Sequence, residues 1–391
     1  MRASRRKRQT APELFNGVAG LEDSPELQRP VVYVNPDIVW ERGDVGFWNP
    51  RWVELEPILR QCPYPVRPLG EFIPETVERD GAESLGITRG QAGRREYPPQ
   101  GTLVEHQNGS VKLLLPRARE AVDGVLYLQV KNLTRTGIDP TETPEDKRYI
   151  QENSYNDPPR SRLWVGDIVL VNSGVGSLGR TIVFTNQYSY SKVNISQHLT
   201  KFTVQDILPE WCCVYLQSMY GAHQMIREAS GVSGQTYIDY EELKNIFVVV
   251  PDESIQQAFA QGYRFVVDYH LKAVDAKANQ QSDGEADKLM NTAVGILEML
   301  IWQAENLIEG SLPKPLSVFP RNLSPALISL LEDEYARVGR MVRNRDTTPD
   351  CYELQSRALG IHLERGGEIK EAIGHLARLL AGLEELSLET R

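Results

Sequence analysis

The chain changes texture at Pro251, and no other feature limits its fold as much. From about Pro30 to Pro251 the apolar residues come in short β-branched runs: VVYV (31–34), VKLLL (111–115), VLYLQV (125–130), DIVLV (167–171), TIVF (181–184) and NIFVVV (245–250). Gly, Pro, Asn and Ser separate them, which is the pattern of strands joined by turns. Helices are expected in this part at Pro50–Gln61 and Pro209–Ile226. Strands do not alternate regularly with helices, so the expected class is α+β, a mixed β-rich domain followed by long helices.

Past Pro251 the apolar spacing is helical. SIQQAFAQGYRFVVDYHLKAVDAKANQ opens with a capping-box pattern, Ser254 to Gln257, and places Ile255, Phe259, Val266 and Ala273 on one face. QSDGE interrupts it. From Ala286 to Glu309, Leu289, Ala293, Ile296, Leu300, Ala304 and Leu307 are spaced 4, 3, 4, 4 and 3 apart, a coiled-coil-like seam. Each helix would be roughly 35–40 Å long at 1.5 Å per residue. Two readings stay open: a hairpin packed on its own domain, or a rod that spaces domains or receives a partner helix. SLPKPLSVFP (311–320) reads as a linker and Ser324–Pro325 as a helix start. The last unit, turning at Gly366–Gly367, resembles one tetratricopeptide repeat; a lone copy builds no solenoid, which leaves a docking or capping role. The expected divisions are a flexible basic tail (1–29), a β-rich domain (30–252), long helices (253–310) and a helical C-terminal region (311–391).

Composition narrows the function classes. With 41% hydrophobic and 25% charged residues the chain is that of a globular protein. No run approaches the roughly 18 apolar residues of a membrane span. The start, MRASRRKRQTAPEL, is basic without an apolar core, so it does not read as a secretory signal. Cys62, Cys212, Cys213 and Cys351 form no C-x-x-C pair, and the 6 histidines include no H-E-x-x-H. Neither a disulfide framework nor a zinc site is expected, and a reducing cytoplasm is the expected location. A net charge of −10 counts against coating DNA by bulk attraction but not against local recognition. Between Gly166 and Val204 the balance is basic: Arg180, Lys192 and Lys201 against Asp167.

Three stretches resemble catalytic patterns. GVGSLG (174–179) matches G-x-G-x-x-G, but a dinucleotide site needs a helix after the glycines and an acid about 20 residues on. Here RTIVFTNQYSYSK follows, β-branched and aromatic, and SKVNISQ holds no acid; a strand–glycine loop–strand hairpin fits better. NDPPR (156–160) resembles the D-P-P-Y motif of amino-methyltransferases, but Arg160 stands where an aromatic must stack the extruded base. Pro349–Asp350 with Glu368 and Lys370 fits the spacing of metal-dependent nucleases, whose carboxylates stand on adjacent strands; these residues are helical by period. No catalytic residue, metal ligand or cofactor is assigned.

Four blocks recur in a familiar order: GVLYLQVKNLTRTGID (124–139), RSRLWVGDIVLVNSGVGSLGRTIVF (160–184), NISQHLTKF (194–202) and PEWCCVYLQSMYGAHQMIREASGVSGQTYIDYEELKNIFVVVPDESIQQAF (209–259). Together they resemble a target recognition domain of the specificity subunits of type I restriction-modification systems, with its trailing spacer helices, over roughly residues 60–310. Val250–Pro251 with Gln256 or Gln257 stands for the family's P-P-x-x-x-Q. The resemblance implies a non-enzymatic DNA-recognition subunit of such a system or a related phage-defence complex. Its partners would be double-stranded DNA, a methyltransferase subunit and a restriction or translocase subunit. It gives the glycine loop a role in bringing backbone close to a duplex, with Ser173, Gly174, Ser177 and Arg180 facing phosphates or a guanine edge. The other DNA-binding candidates are Lys131, Asn132, Arg135, Gln197, His198, Ser233, Gln235 and Thr236. One departure stands out: specificity subunits of this length carry two recognition domains, whereas this chain shows the block set once. A half-subunit would pair with a second copy through helices 253–310. The alternatives are a protein-interaction adaptor that no longer binds DNA and, more remotely, a nuclease at 350–370.

Overall fold

The computed structural model describes residues 18–22, 31–34, 50–79, 81–91, 102–105, 111–114, 124–144, 148–174, 177–229, 237–279, 283–345 and 367–389. They form an α+β protein. The strands are β1 (Val18–Glu22), β2 (Val31–Val34), β3 (Val66–Pro68), β4 (Thr76–Arg79), β5 (Ala82–Leu85), β6 (Ile87–Arg89), β7 (Thr102–Glu105), β8 (Val111–Leu114), β9 (Gly124–Leu128), β10 (Tyr149–Gln151), β11 (Ile168–Val171), β12 (Thr181–Val183), β13 (Val193–Ile195), β14 (Leu199–Phe202) and β15 (Phe247–Val249). The helices are α1 (Pro50–Gln61), α2 (Pro209–Gln217), α3 (Met219–Glu228), α4 (Tyr240–Lys244), α5 (Glu253–Ala278), α6 (Asp283–Ile308), α7 (Pro325–Arg345) and α8 (Gly367–Glu389).

The central sheet has the order β12-β11-β14-β6, every pair antiparallel. All residues of β11, β12 and β14 are buried. Burial on both faces is why IVLV (168–171) and IVF (182–184) are unbroken apolar runs rather than alternating ones. A second sheet, β10-β9-β13, pairs β9 antiparallel to β10 and parallel to β13. β3 pairs with β15, closing the β-rich part just before Pro251.

Helix α2 is buried from Trp211 to Gln217, so WCCVYLQ shows no polar stripe. Among its residues Cys213 has its thiol pKa pushed up to about 12 by burial, an inert packing residue. A single helix over 209–226 is not what forms. The chain breaks at Ser218, whose backbone is extended and whose hydroxyl donates to the Tyr215 carbonyl at 2.6 Å. Gly221 permits the break: a Cβ there would lie 2.5 Å from the Tyr215 carbonyl oxygen.

The long helices make a bundle in which α6 packs against α5 and α7, with α8 on α6 and α7. At 1.5 Å per residue α5 and α6 are each about 39 Å long. Seam residues Ala293, Ile296 and Ala304 have no exposure, and Leu300 and Leu307 retain 2% and 1%. The seam is therefore filled by the chain's own helices, which corrects the expectation that 253–310 offers it to a second copy. Two glycines draw α6 and α7 together: a Cβ on Gly295 would sit 2.0 Å from the Tyr335 carbonyl oxygen, and one on Gly339 1.9 Å from that of Asn291.

The helices also lie against the β-rich part, which decides for the packed hairpin over the free rod. The Tyr263 hydroxyl accepts from the Val183 amide at 3.1 Å, and Trp211 meets Phe259 edge-on at 4.8 Å. Gln256, not Gln257, makes the join: its amide donates to the Pro251 carbonyl and accepts from the Leu208 amide, both at 2.8 Å. Helix α5 starts at Glu253 after Asp252, with no side-chain cap there, so the Ser254–Gln257 box does not form. Val18–Glu22 pairs with Val31–Val34, correcting the tail reading for those residues; 1–17 and 23–29 lie outside the described residues, as do Gly366 and the first half of the repeat-like unit. Among the described residues no helix is long and apolar enough to cross a membrane.

Candidate nucleic-acid interface

The glycine loop joins two strands of one hairpin. Val171 and Arg180 close its neck: the Val171 amide donates to the Arg180 carbonyl and the Gly179 amide to the Val171 carbonyl, each at 2.9 Å. Gly174 (φ 109°) and Gly179 (φ 85°) hold left-handed conformations that a side chain resists. The amides of Ser177 and Leu178 both turn back to the Gly174 carbonyl. β12 follows directly, with Leu170 opposite Thr181. No helix springs from the glycines, so the dinucleotide reading fails on structure as it did on sequence.

Three segments distant in sequence meet at this loop. Lys131 is exposed just after β9, and Gln197 and His198 are exposed on the turn between β13 and β14. Ser173 Oγ lies 2.8 Å from His198 Nδ1, and Gln197 Nε2 lies 2.9 Å from His198 Nε2. An amide nitrogen only donates, so imidazole Nε2 accepts and the ring proton sits on Nδ1, donating to Ser173. Asn172 fixes the loop from below, its side-chain amide donating to Thr200 Oγ1 at 2.9 Å. Tyr127, Gln129, Lys131, Arg180, Gln197 and His198 line a concavity of about 580 Å³. Arg180 is half-buried and donates to the Leu133 carbonyl at 3.4 Å. The result is a shallow bowl with two cations, two amides and an imidazole at its edge, suited to phosphates and base edges.

Other candidates are placed differently. Asn132 is buried, with its side chain accepting from the Gln129 amide and donating to the Asp139 carbonyl and Thr143. It is a strut for the 129–143 loop rather than a reader of bases. Arg135 turns the other way and pairs with Glu298 of α6 at 2.6 Å, both largely buried; it ties the β-rich part to the bundle. Ser177 spends its hydroxyl on the Ser173 and Gly174 carbonyls, so it shapes the loop. Ser233, Gln235 and Thr236 lie outside the described residues. Of the local basic surplus, Lys201 is buried against Asp167 at 3.1 Å and the Arg162 carbonyl at 2.6 Å, and Lys192 pairs with Glu152. Only Arg180 of those three faces the bowl.

Tyr237 was not anticipated. It forms an antiparallel bridge with Ser173 and is 45% exposed, so its ring stands on the same face as the Ser173–His198 pair. The signal was its position directly after SGVSGQT, where a glycine turn rejoins β structure. Asp157 of NDPPR is buried, accepting from Arg162, from Asn194 at 2.7 Å and from the Asn153 amide at 2.8 Å. Those bonds, with Arg162 beside it, hold its carboxyl below the usual aspartate range even though burial opposes them. Glu368 and Lys370 lie exposed on α8 rather than on adjacent strands, and Pro349–Asp350 lie outside the described residues. Among the described residues no cluster of His, Cys, Asp and Glu could hold a metal ion.

No family model matches the chain, and no curated protein matches it. Among solved structures it is similar to a chain from work described as the structural basis underlying complex assembly and conformational transition of the type I R-M system. The similarity covers 71% of this chain at 16% identity and a TM-score of 0.31, a distant relation, and it spans 55% of that chain's length.

Proposed function

We propose that this chain is a non-enzymatic DNA-recognition subunit of a type I-like restriction-modification or related defence complex. It would direct a methyltransferase or nuclease partner to a target sequence. One observation carries the reading: the glycine hairpin gathers Lys131, Arg180, Gln197, His198 and Ser173 from three separate blocks around one open concavity. In this reading Lys131 and Arg180 meet phosphates, while Gln197, oriented by the Ser173–His198 pair, presents its remaining donor and acceptor to base edges. The bundle of α5 to α8 would receive the partner subunits, with the exposed faces of the helices rather than the buried seam as the docking surface.

The test is retention of a duplex in a low-salt gel shift. Lys131→Ala with Arg180→Ala weakens it strongly while the fold is kept; unchanged retention rejects this face. Co-purification with the products of neighbouring genes would identify the partner.

A second reading, a protein-interaction adaptor, is favoured by a specific observation: Lys192 and Lys201 are committed to internal carboxylates in a chain of net charge −10. A salt titration separates the two. Affinity for DNA that falls steeply with salt supports recognition; no measurable binding at low salt supports the adaptor.

A further inference from the structure

The NDPPR turn is built as a bracket, and what it presents is Arg160. Pro158 and Pro159 fix the backbone leading into a short 3-10 turn, Pro159–Ser161. Below it, buried Asp157 holds Arg162, Asn194 and the Asn153 amide, and buried Ser161 donates to Asn194 at 2.7 Å. Five polar groups are thus spent on fixing one turn. Arg160, at its outer corner, is exposed and, among the described residues, has no carboxylate within ion-pair distance; its guanidinium donates to Gln91 Oε1 at 3.1 Å.

Gln91 connects this cation to the bowl. Its backbone bridges Ser196 in parallel, and its carbonyl accepts from the Tyr127 hydroxyl at 2.7 Å. Ser196 and Tyr127 both line the concavity that Lys131 and Arg180 border. Arg160 therefore stands one residue beyond the rim, on the side where Ser196 leads into Gln197 and His198. A guanidinium carried on a rigid turn has less freedom left to lose when it meets an anion, and its planar fork suits a phosphate.

We infer that Arg160, set by the Asp157–Pro158–Pro159 bracket, is a further phosphate contact that extends the proposed duplex face past the concavity. This rests on the recognition reading above. The ligand is the phosphodiester backbone of duplex DNA, not a base edge.

The experiment is a salt titration of duplex affinity on the full chain, with two unrelated duplex sequences, for wild type, Arg160→Ala and Arg160→Lys. Arg160→Ala is expected to weaken binding roughly fivefold on both duplexes and to lower the slope of log affinity against log salt by about 1. Arg160→Lys should restore the slope. An Arg160→Ala slope and affinity equal to wild type overturn the assignment. Loss confined to one duplex also overturns it, because that is base readout. If the wild-type chain binds neither duplex, the recognition reading itself fails, a separate result. Arg160 is exposed and makes one side-chain hydrogen bond to Gln91, so the thermal midpoint should match wild type; a lowered midpoint with an unchanged slope makes Arg160 structural and rejects the inference.

Discussion

The β-rich region before Pro251 and the helical region after it are held together by different means. In the first, polar groups lie inside: Asp167 with Lys201, Asp157 with Asn194, Asn132 with Thr143. In the second, an apolar run on α6 is buried on every side and glycines bring backbones into contact. Short strands leave their connecting loops with many amides and carbonyls to satisfy, and buried side chains do that work. Long helices satisfy their own backbone, and the polar side chains that α6 buries, such as Glu298 and Gln303, are spent on the segments packed against it. In the β-rich region, then, a polar side chain is no sign of a surface, and in the helical region an apolar seam is no sign of a partner.

Asp167 is where that contrast is most easily broken. It has no exposure; it accepts from Lys201, Thr203 and the Trp164 amide, with Arg79 at 3.4 Å. Asp167→Ala would leave Lys201 buried as a charge without its counterion, next to Arg79. Removing one member of such a pair costs about 3–5 kcal/mol, and chemical denaturation would read it. A loss under about 1 kcal/mol would mean that burial of charge is not what orders the β-rich region.

The helical counterpart is Gly339. An alanine Cβ would fall 1.9 Å from the Asn291 carbonyl oxygen, a backbone atom that cannot swing aside. Gly339→Ala should force α6 and α7 apart at a cost of about 1–3 kcal/mol. Because α5 and α6 also press on the β-rich part, the same denaturation curve should stay a single transition. Two separated transitions would show that the regions fold independently and would sharpen the contrast into a domain boundary.

How much of this was legible follows the same division. The seam spacing on Ala293, Ile296, Leu300 and Ala304 foretold burial correctly, because helical period reports which face is covered. It was silent on what covers it, and α7 lay beyond a linker. The hairpin at 168–183 was legible from β-branched runs on both sides of the glycines. Asn132 and Arg135 were not: donors after a strand look alike whether they point outward or inward, and only the partners, Thr143 and Glu298, tell them apart. Those partners lie 11 and 163 residues away, beyond any local pattern.

His270 sits at the joint between the regions. It projects from α5 into the 134–138 turn, where its Nε2 lies 3.0 Å from the Ile138 carbonyl and its Nδ1 3.0 Å from Thr136 Oγ1. A carbonyl only accepts, so Nε2 carries the proton and Nδ1 accepts from the threonine. Gly137 makes room for the ring, since a Cβ there would lie 2.4 Å from its Cδ2. Burial holds the imidazole pKa below 6.5, with the Ile138 hydrogen bond and nearby Asp139 opposing it only in part. The unfolded chain takes up a proton near pH 6.5 that the folded chain refuses, so stability is lost as pH falls through that value, by at most about 1.4 kcal/mol per unit. Urea midpoints at pH 7.5 and 5.5 should differ in wild type and differ less in His270→Leu. Equal wild-type midpoints would show that the joint does not depend on a neutral imidazole.

The smallest effect tests how far the duplex face reaches. Lys192 is half-exposed and pairs with Glu152, which also approaches Arg162 at 3.5 Å. Exposed pairs of this kind are worth about 0–1 kcal/mol, so Lys192→Ala should barely move the denaturation midpoint. Its charge is matched by Glu152, whereas Arg160 meets no carboxylate among the described residues, and Lys192 does not line the bowl. Its removal should therefore leave the salt slope of duplex binding as in wild type. A slope lowered by about 1 would mean that Lys192 exchanges Glu152 for a phosphate on binding. The internal ion pairs of the β-rich region would then be a reserve of cations for DNA rather than charge spent on the fold.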